Sequence, residues 1–247
     1  MPHNYEFDIE AVLGGRLSYE PEVFAFLDKA VNAYDTIIEI GANVGVFTVY
    51  FSKHLMAQEP HGRIFAFEPS AEAYRRLCEN LALNAADNVT TINAAIGPKS
   101  GFARFYEPRG HLTNGSLSEA FASYFDATPA TNWNVTLDGA SILELINGPK
   151  RILLKIDVEG FEAEVLRSLA TFIAQQRPDI LIEVLPGFED AINAAIDFPA
   201  LGYRFYGLTS EGALAIDRIR AIEGRDCFLV AGNAPDAPAF QRGMDGA

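Results

Sequence analysis

Two cysteines, one tryptophan and three methionines are all that 247 residues contain of those types. Cys78 and Cys227 are too few for a disulfide framework or a thiolate metal cage, so both are expected reduced and buried in a cytoplasmic protein. No apolar run approaches the ~20 residues of a membrane span. The opening Met1-Pro2-His3-Asn4-Tyr5-Glu6 lacks the basic and apolar regions of a secretory signal. Basic charge is scarce: 19 Lys plus Arg stand against 33 acids, a formal charge of -14. That field repels phosphate backbones and anionic lipid, and no basic stripe offsets it, so neither nucleic acid nor a membrane surface is an expected partner.

Two nucleotide motifs are also missing. A dinucleotide turn needs G-x-G-x-x-G, but Asn43 stands where the second glycine would be. A P-loop needs G-K-[ST], which nothing supplies.

What is present is a globular composition, 49% hydrophobic and 21% charged, with no solenoid-period repeat. A single domain over residues 1–231 is expected, with a lead-in over 1–34 and a flexible tail rich in Pro, Ala and Gly over 232–247. Short apolar runs at Thr36–Ile40, Arg63–Phe67, Val89–Ile96, Arg151–Ile156 and Asp179–Val184 suit strands covered on both faces. Helical patterns separate them: one capped by Ser70 and running to about Leu83, one with a stripe from Phe161 to Ile173, one from Gly187 to Ile196. Strand–helix alternation of this kind predicts an α/β fold with a doubly wound, mostly parallel sheet. Runs near Tyr203–Tyr206 and Cys227–Val230 predict an antiparallel edge. Residues 101–140 break the alternation and predict an inserted hairpin around Phe102–Tyr106, an ordered lid loop and a strand near Asn134–Leu137.

Three stretches carry chemistry. In Glu39-Ile40-Gly41-Ala42-Asn43-Val44-Gly45 a buried strand runs into a glycine turn and then a helix, the ligand-binding position of open α/β sheets. The Asn43 side chain would crowd a pyrophosphate, so the turn better suits S-adenosylmethionine (SAM). Its carboxylate can take N–H groups at the helix start, and its cations favour Glu39. A tight turn with no ligand is the alternative. In Phe65-Ala66-Phe67-Glu68-Pro69 a strand ends on an acid, 23 residues after Gly45, the distance at which a carboxylate can hold both ribose hydroxyls. Glu68 could instead serve only the start of the next helix. Asn93 and Ala94, ending the third strand, leave room for adenine. In Lys155-Ile156-Asp157-Val158-Glu159-Gly160 a lysine lies inside an apolar strand, with Glu39 of the adjacent strand as its expected partner. Asp157, Glu159 and Glu183 then sit at neighbouring strand ends. An ion pair plus a helix cap at Asp157 is the structural alternative.

Together these pieces, with Thr136-Leu137-Asp138, resemble the FkbM-type SAM-dependent methyltransferases, in the family's order across most of Asp35 to Val184. Glu39 departs from the family's usual Asp by one methylene. The resemblance implies a class I methyltransferase fold with a seven-stranded sheet whose last strand is antiparallel. It also implies SAM over the ends of the first three strands, and methylation of a hydroxyl oxygen on a small molecule, sugar, glycan or other natural product. The general base is expected at Asp157 first and His111, in the lid, second. Asn114, Glu159 and Glu183 are candidates for binding the acceptor. The three acids could alternatively hold a divalent ion, but a metal-free site is the reading preferred. An NAD-dependent oxidoreductase and a non-catalytic SAM binder are the rival readings.

Overall fold

The computed structural model describes residues 19–58, 60–111, 114–146, 150–222 and 224–232. The expected lead-in before Tyr19, the tail beyond Gly232, and Leu112 and Thr113 of the lid lie outside them. In chain order the elements are α1 (Pro21–Ala30), a 3₁₀ turn (Val31–Ala33), β1 (Thr36–Ile40), α2 (Val46–Met56), β2 (Arg63–Phe67), α3 (Ala71–Leu83) and β3 (Val89–Ile92). The insertion follows: β4 (Ala95–Ile96), β5 (Gly101–Glu107), α4 (Glu119–Phe125) and β6 (Ala130–Leu137). Then come α5 (Gly139–Leu145), β7 (Ile152–Ile156), α6 (Glu162–Ser168), α7 (Ala170–Gln176), β8 (Asp179–Glu183), α8 (Glu189–Asn193), β9 (Tyr203–Thr209), β10 (Gly212–Ile216) and β11 (Asp226–Ala231).

The main sheet has the order β10-β9-β11-β8-β7-β1-β2-β3. Pairs β3-β2, β2-β1, β1-β7 and β7-β8 are parallel, while β11 runs against both β8 and β9. The seven strands expected are therefore present, and an eighth, β10, hairpins onto the β9 edge. The Cys227–Val230 run lies between β8 and β9, inside the sheet rather than at its edge. Alternation explains the burial. Ile38, Leu154 and Ile180 pack on one face, while their neighbours Ile37, Leu153 and Leu181 pack on the other. Each such side chain contributes about 1.5–3 kcal/mol on burial.

The third predicted strand is a correction. Val89–Ile96 does not run straight through. The chain turns at Asn93-Ala94, where the Ala94 N–H bonds the Ile92 carbonyl, and Ala95–Ile96 joins β6 in a separate sheet of order β4-β6-β5. The Phe161–Ile173 stripe is likewise two helices meeting at Leu169. The insertion's inner face docks on the turn after β2: Ser70 Oγ donates to Glu107 Oε1 (2.6 Å), and the Asn134 amide donates to the Pro69 carbonyl. Its outer face leaves Phe102 and Trp133 exposed, with Arg104 over the Trp133 ring.

Candidate active site

The order reverses between β1 and β7: β1 leads on to β2 and β3 at one side, while β7 and β8 extend the other. Loops leaving these strands diverge and open a cleft at their carboxyl ends. A cavity of about 310 Å³ lies there. It is lined by Glu39 in β1, Gly41 and Asn43 after β1, Glu68 after β2, Ala94 after β3, Lys155, Asp157 and Glu159 at β7, and Glu183 at β8. Phe105, Gly115 and Leu117 bring the insertion over it, and Tyr19 and Glu20 close it from the N-terminal side.

The glycine turn is built by close packing. Gly41 has φ +87°, and a Cβ there would lie 1.7 Å from the Asp157 carbonyl oxygen. A side chain would thus push β1 and β7 apart at the switch point. Gly45, at φ +92°, is needed for a different reason: its Cβ would meet Leu77 of α3 at 2.6 Å. Gly45 lies beside the cavity lining rather than in it, and allows α2 and α3 to touch. Asn43 is held at φ +51°, a left-handed conformation uncommon for a residue with a side chain. Its N–H donates to Glu68 Oε2 (2.8 Å), while its own Oδ1 is buried with no hydrogen-bond partner among the described residues. An orphaned acceptor in a cavity wall is a place for a ligand donor.

Glu68 is buried and accepts from two backbone groups, Asn43 N–H and Ser70 N–H (2.7 Å). Burial still pushes its carboxyl up to about 7, against those bonds. The helix-start role and the cavity-facing role are therefore filled by one side chain. The Asn93 amide donates to the Glu68 and Pro69 carbonyls (2.7 and 3.1 Å) and braces that turn beside the cavity lining. Ala94 and Ala95 do line it, beside Ile96 and Leu117, as an apolar wall.

Glu39 is 1% exposed and sits opposite Lys155 in register. The expected Glu39–Lys155 ion pair is not what the lysine makes. Lys155 Nζ instead donates to Asp157 Oδ2 (3.0 Å), and Glu39 Oε2 accepts from Thr48 Oγ1 (2.7 Å). Two residues along one strand share a face, so Asp157 reaches the ammonium from the same chain. Burial pushes Glu39 up to about 7, with Lys155 pulling against it. Burial works to lower Lys155, but Asp157, Glu39 and Glu20 outweigh it and hold the lysine charged. Its ammonium also lies 4.5 Å from the Phe47 ring centre.

At the far end, carboxylate oxygens of Asp157, Glu159 and Glu183 lie within 4.8 Å of one another. Glu159 is itself held at φ +55°. Burial, then Asp157 and Glu162, pushes its carboxyl up to about 8. Burial, then Asp157 and Glu159, raises Glu183 as well. Arg225 approaches Glu183 Oε1 only to 3.7 Å, from the exposed side.

The two lid candidates lie apart from the cavity lining. His111 packs its ring 5.4 Å from Phe125, and the Asn114 N–H bonds the His111 carbonyl; neither residue lines the cavity. Polar loop composition flagged that segment, but it is Gly115 and Leu117, just beyond, that reach the site. Tyr19, Glu20 and Phe47 were missed. No motif marks Tyr19 or Glu20, and Phe47 reads as an ordinary core position of α2. Tyr124 is 86% exposed and Trp133 68% exposed.

Residues 39–205 match the family described as Methyltransferase FkbM domain. The chain is 26% identical over 170 residues to the hexuronic acid methyltransferase AglP of Haloferax volcanii, covering 69% of this chain and 64% of that protein. It is 28% identical over 158 residues to methyltransferase sdnD of Sordaria araneosa, covering 54% and 60%. The chain thus spans just under two thirds of the length of these relatives. A crystal structure of methyltransferase FkbM from Methylobacillus flagellatus shares 14% identity at a TM-score of 0.47, covering 79% of this chain and 43% of that one.

Proposed function

The chain belongs to the FkbM methyltransferase family, and from that premise we propose that it transfers a methyl group from SAM to a hydroxyl oxygen of a sugar or other small polyhydroxylated acceptor, in the cytoplasm. The observation that carries this reading is the cavity wall. A β1 turn with an orphaned Asn43 acceptor leads to a buried Glu68, then to small residues after β3, and acids dominate the rest. The residues fit SAM on those grounds. Its α-amino group or ribose can donate to Asn43 Oδ1 or Glu68, its adenine fits against Ala94 and Leu117, and its positive end is matched by Glu39 and Asp157. The hexuronic acid named for the haloarchaeal relative supports a sugar acceptor.

Bound there, SAM would supply a methyl carbon on positively charged sulfur. The protein's share is positioning and proton transfer. The Gly41 turn fixes the β1 backbone against Asp157, so the cofactor's and acceptor's walls are held as one body. The insertion lies over the cleft through Phe105 and Leu117. Asp157, first expected as base, has one oxygen bound to Lys155. Glu159 makes no hydrogen bond to the described residues and is raised toward neutrality, which matches a proton acceptor working near pH 8. We therefore assign Glu159 as the group that takes the hydroxyl proton, with Asp157 holding the cationic end of the cofactor.

The test is a mass-shift screen of a cell extract incubated with the protein and SAM. Gain of one methyl on a hydroxylated compound, dependent on the protein, is the expected result. SAM binding with no methylated product from extract or a broad hydroxylated panel would instead favour a non-catalytic binder.

A further inference from the structure

Six carboxylates line the cavity, and among the described residues Lys155 is the one cation that does. Their duties differ. Glu68 is satisfied by backbone N–H groups, Glu39 by Thr48, Asp157 by Lys155 and Glu20 by Tyr19. Glu159 and Glu183 remain, with no hydrogen bond to a described residue, half-buried at adjacent strand ends with oxygens within 4.8 Å. Like charges confined together in a partly dry site disfavour ionisation and repel an anion, and a cation placed between them relieves both penalties.

We infer that the acceptor presents a protonated amine to Glu183 beside the hydroxyl it presents to Glu159, as in the vicinal amino alcohol of an amino sugar. This rests on the proposed methyl-transfer reading of the same cavity. The spacing of the two acids fits substituents on neighbouring carbons. With the sulfonium at Glu39 and Asp157, the one cation within ion-pair distance of Glu183 among the described residues is the largely exposed Arg225, 3.7 Å from Oε1 and not part of the cavity lining. Glu20 adds a further negative wall opposite. A sugar acid would bring its carboxylate against Glu159, Glu183 and Glu20 together, so hexuronates are excluded from this pocket even though sugars are not.

The experiment uses the full chain loaded with S-adenosylhomocysteine in 150 mM salt, titrated calorimetrically with methyl glucosaminide, methyl glucoside and methyl glucuronide. The expected order is amine tightest, by about tenfold over the neutral sugar, with no detectable binding of the uronide. Glu183→Gln should erase the amine's advantage while leaving cofactor affinity unchanged. Glu159→Gln, a second variant against misfolding of the first, should leave the amine preferred. Equal or weaker binding of the amine, absence of binding included, overturns the inference. So does an amine preference that survives Glu183→Gln, which would mark a nonspecific pull of the acidic surface. A preference that appears only with added Mg²⁺ and vanishes with EDTA also overturns it, because the acids would then hold a metal. Failure of S-adenosylhomocysteine itself to bind would instead sink the methyltransferase reading beneath it.

Discussion

At the β2 end of the cavity, Glu68 has its two carboxylate oxygens on the N–H groups of Asn43 and Ser70. At the β7–β8 end, Glu159 and Glu183 lie near each other and Asp157, without such donors among the described residues. The first acid is fixed before any ligand arrives and helps hold the turn that carries it. The second pair is costly until a ligand neutralises it. A preformed end suits a cofactor common to a family, and an electrostatically unfinished end suits selection of an acceptor.

This contrast can be broken at several points. Gly41→Ala should have the largest effect, because its Cβ would overlap the Asp157 carbonyl and no flexible side chain can yield. A loss of about 4 kcal/mol in denaturant unfolding and abolished SAM binding are expected. Glu159→Gln should leave SAM affinity within a few-fold while kcat falls about 100-fold, measured by product formation with a found acceptor. Loss of SAM affinity instead would move Glu159 to the cofactor end. Glu68→Ala should cost about 2 kcal/mol, because it strands two buried N–H groups, and it should weaken SAM binding with it.

Smaller is the effect of pH on the unliganded protein. Glu39 and Glu68 are raised to about 7 and Glu159 to about 8, above the ordinary carboxyl value near 4.5. Folding therefore favours their protonated forms. That stability is fully present below about pH 4.5 and is lost as pH climbs through 7 to 8. Tm without ligand should fall between pH 5.5 and 8.5, and added SAM should offset much of the fall. Trp133→Ala, on the outer face of the insertion, should shift stability by less than about 0.5 kcal/mol and leave SAM affinity alone. A large loss there would show that the exposed sheet face serves the site.

The β1 turn, Glu68 and the acids after β7 and β8 were legible because parallel strands buried on both faces leave apolar runs, and charges at their ends stand out. Asn93 and Gly45 sit beside the cavity lining rather than in it, for a common reason. A residue beside a cleft can serve packing or a backbone brace, and only the register shows which. Gly45 answers to Leu77, 32 positions away in sequence, which no local pattern encodes. The break at Asn93-Ala94 was hidden because Ala95 and Ile96 suit either sheet equally well. His111 and Asn114 were drawn from composition alone, and which loop residues face a cavity depends on how β5 and β6 dock on Pro69 and Ser70.

The most direct measurement is calorimetric titration of the unliganded protein with SAM, and separately with NAD, in buffers of different ionisation enthalpy at pH 6.5, 7.5 and 8.5. SAM should bind one to one, release protons as raised carboxyls ionise around its positive end, and bind several-fold tighter at the highest pH. NAD binding in place of SAM, or SAM binding without proton release at any pH, would contradict the account.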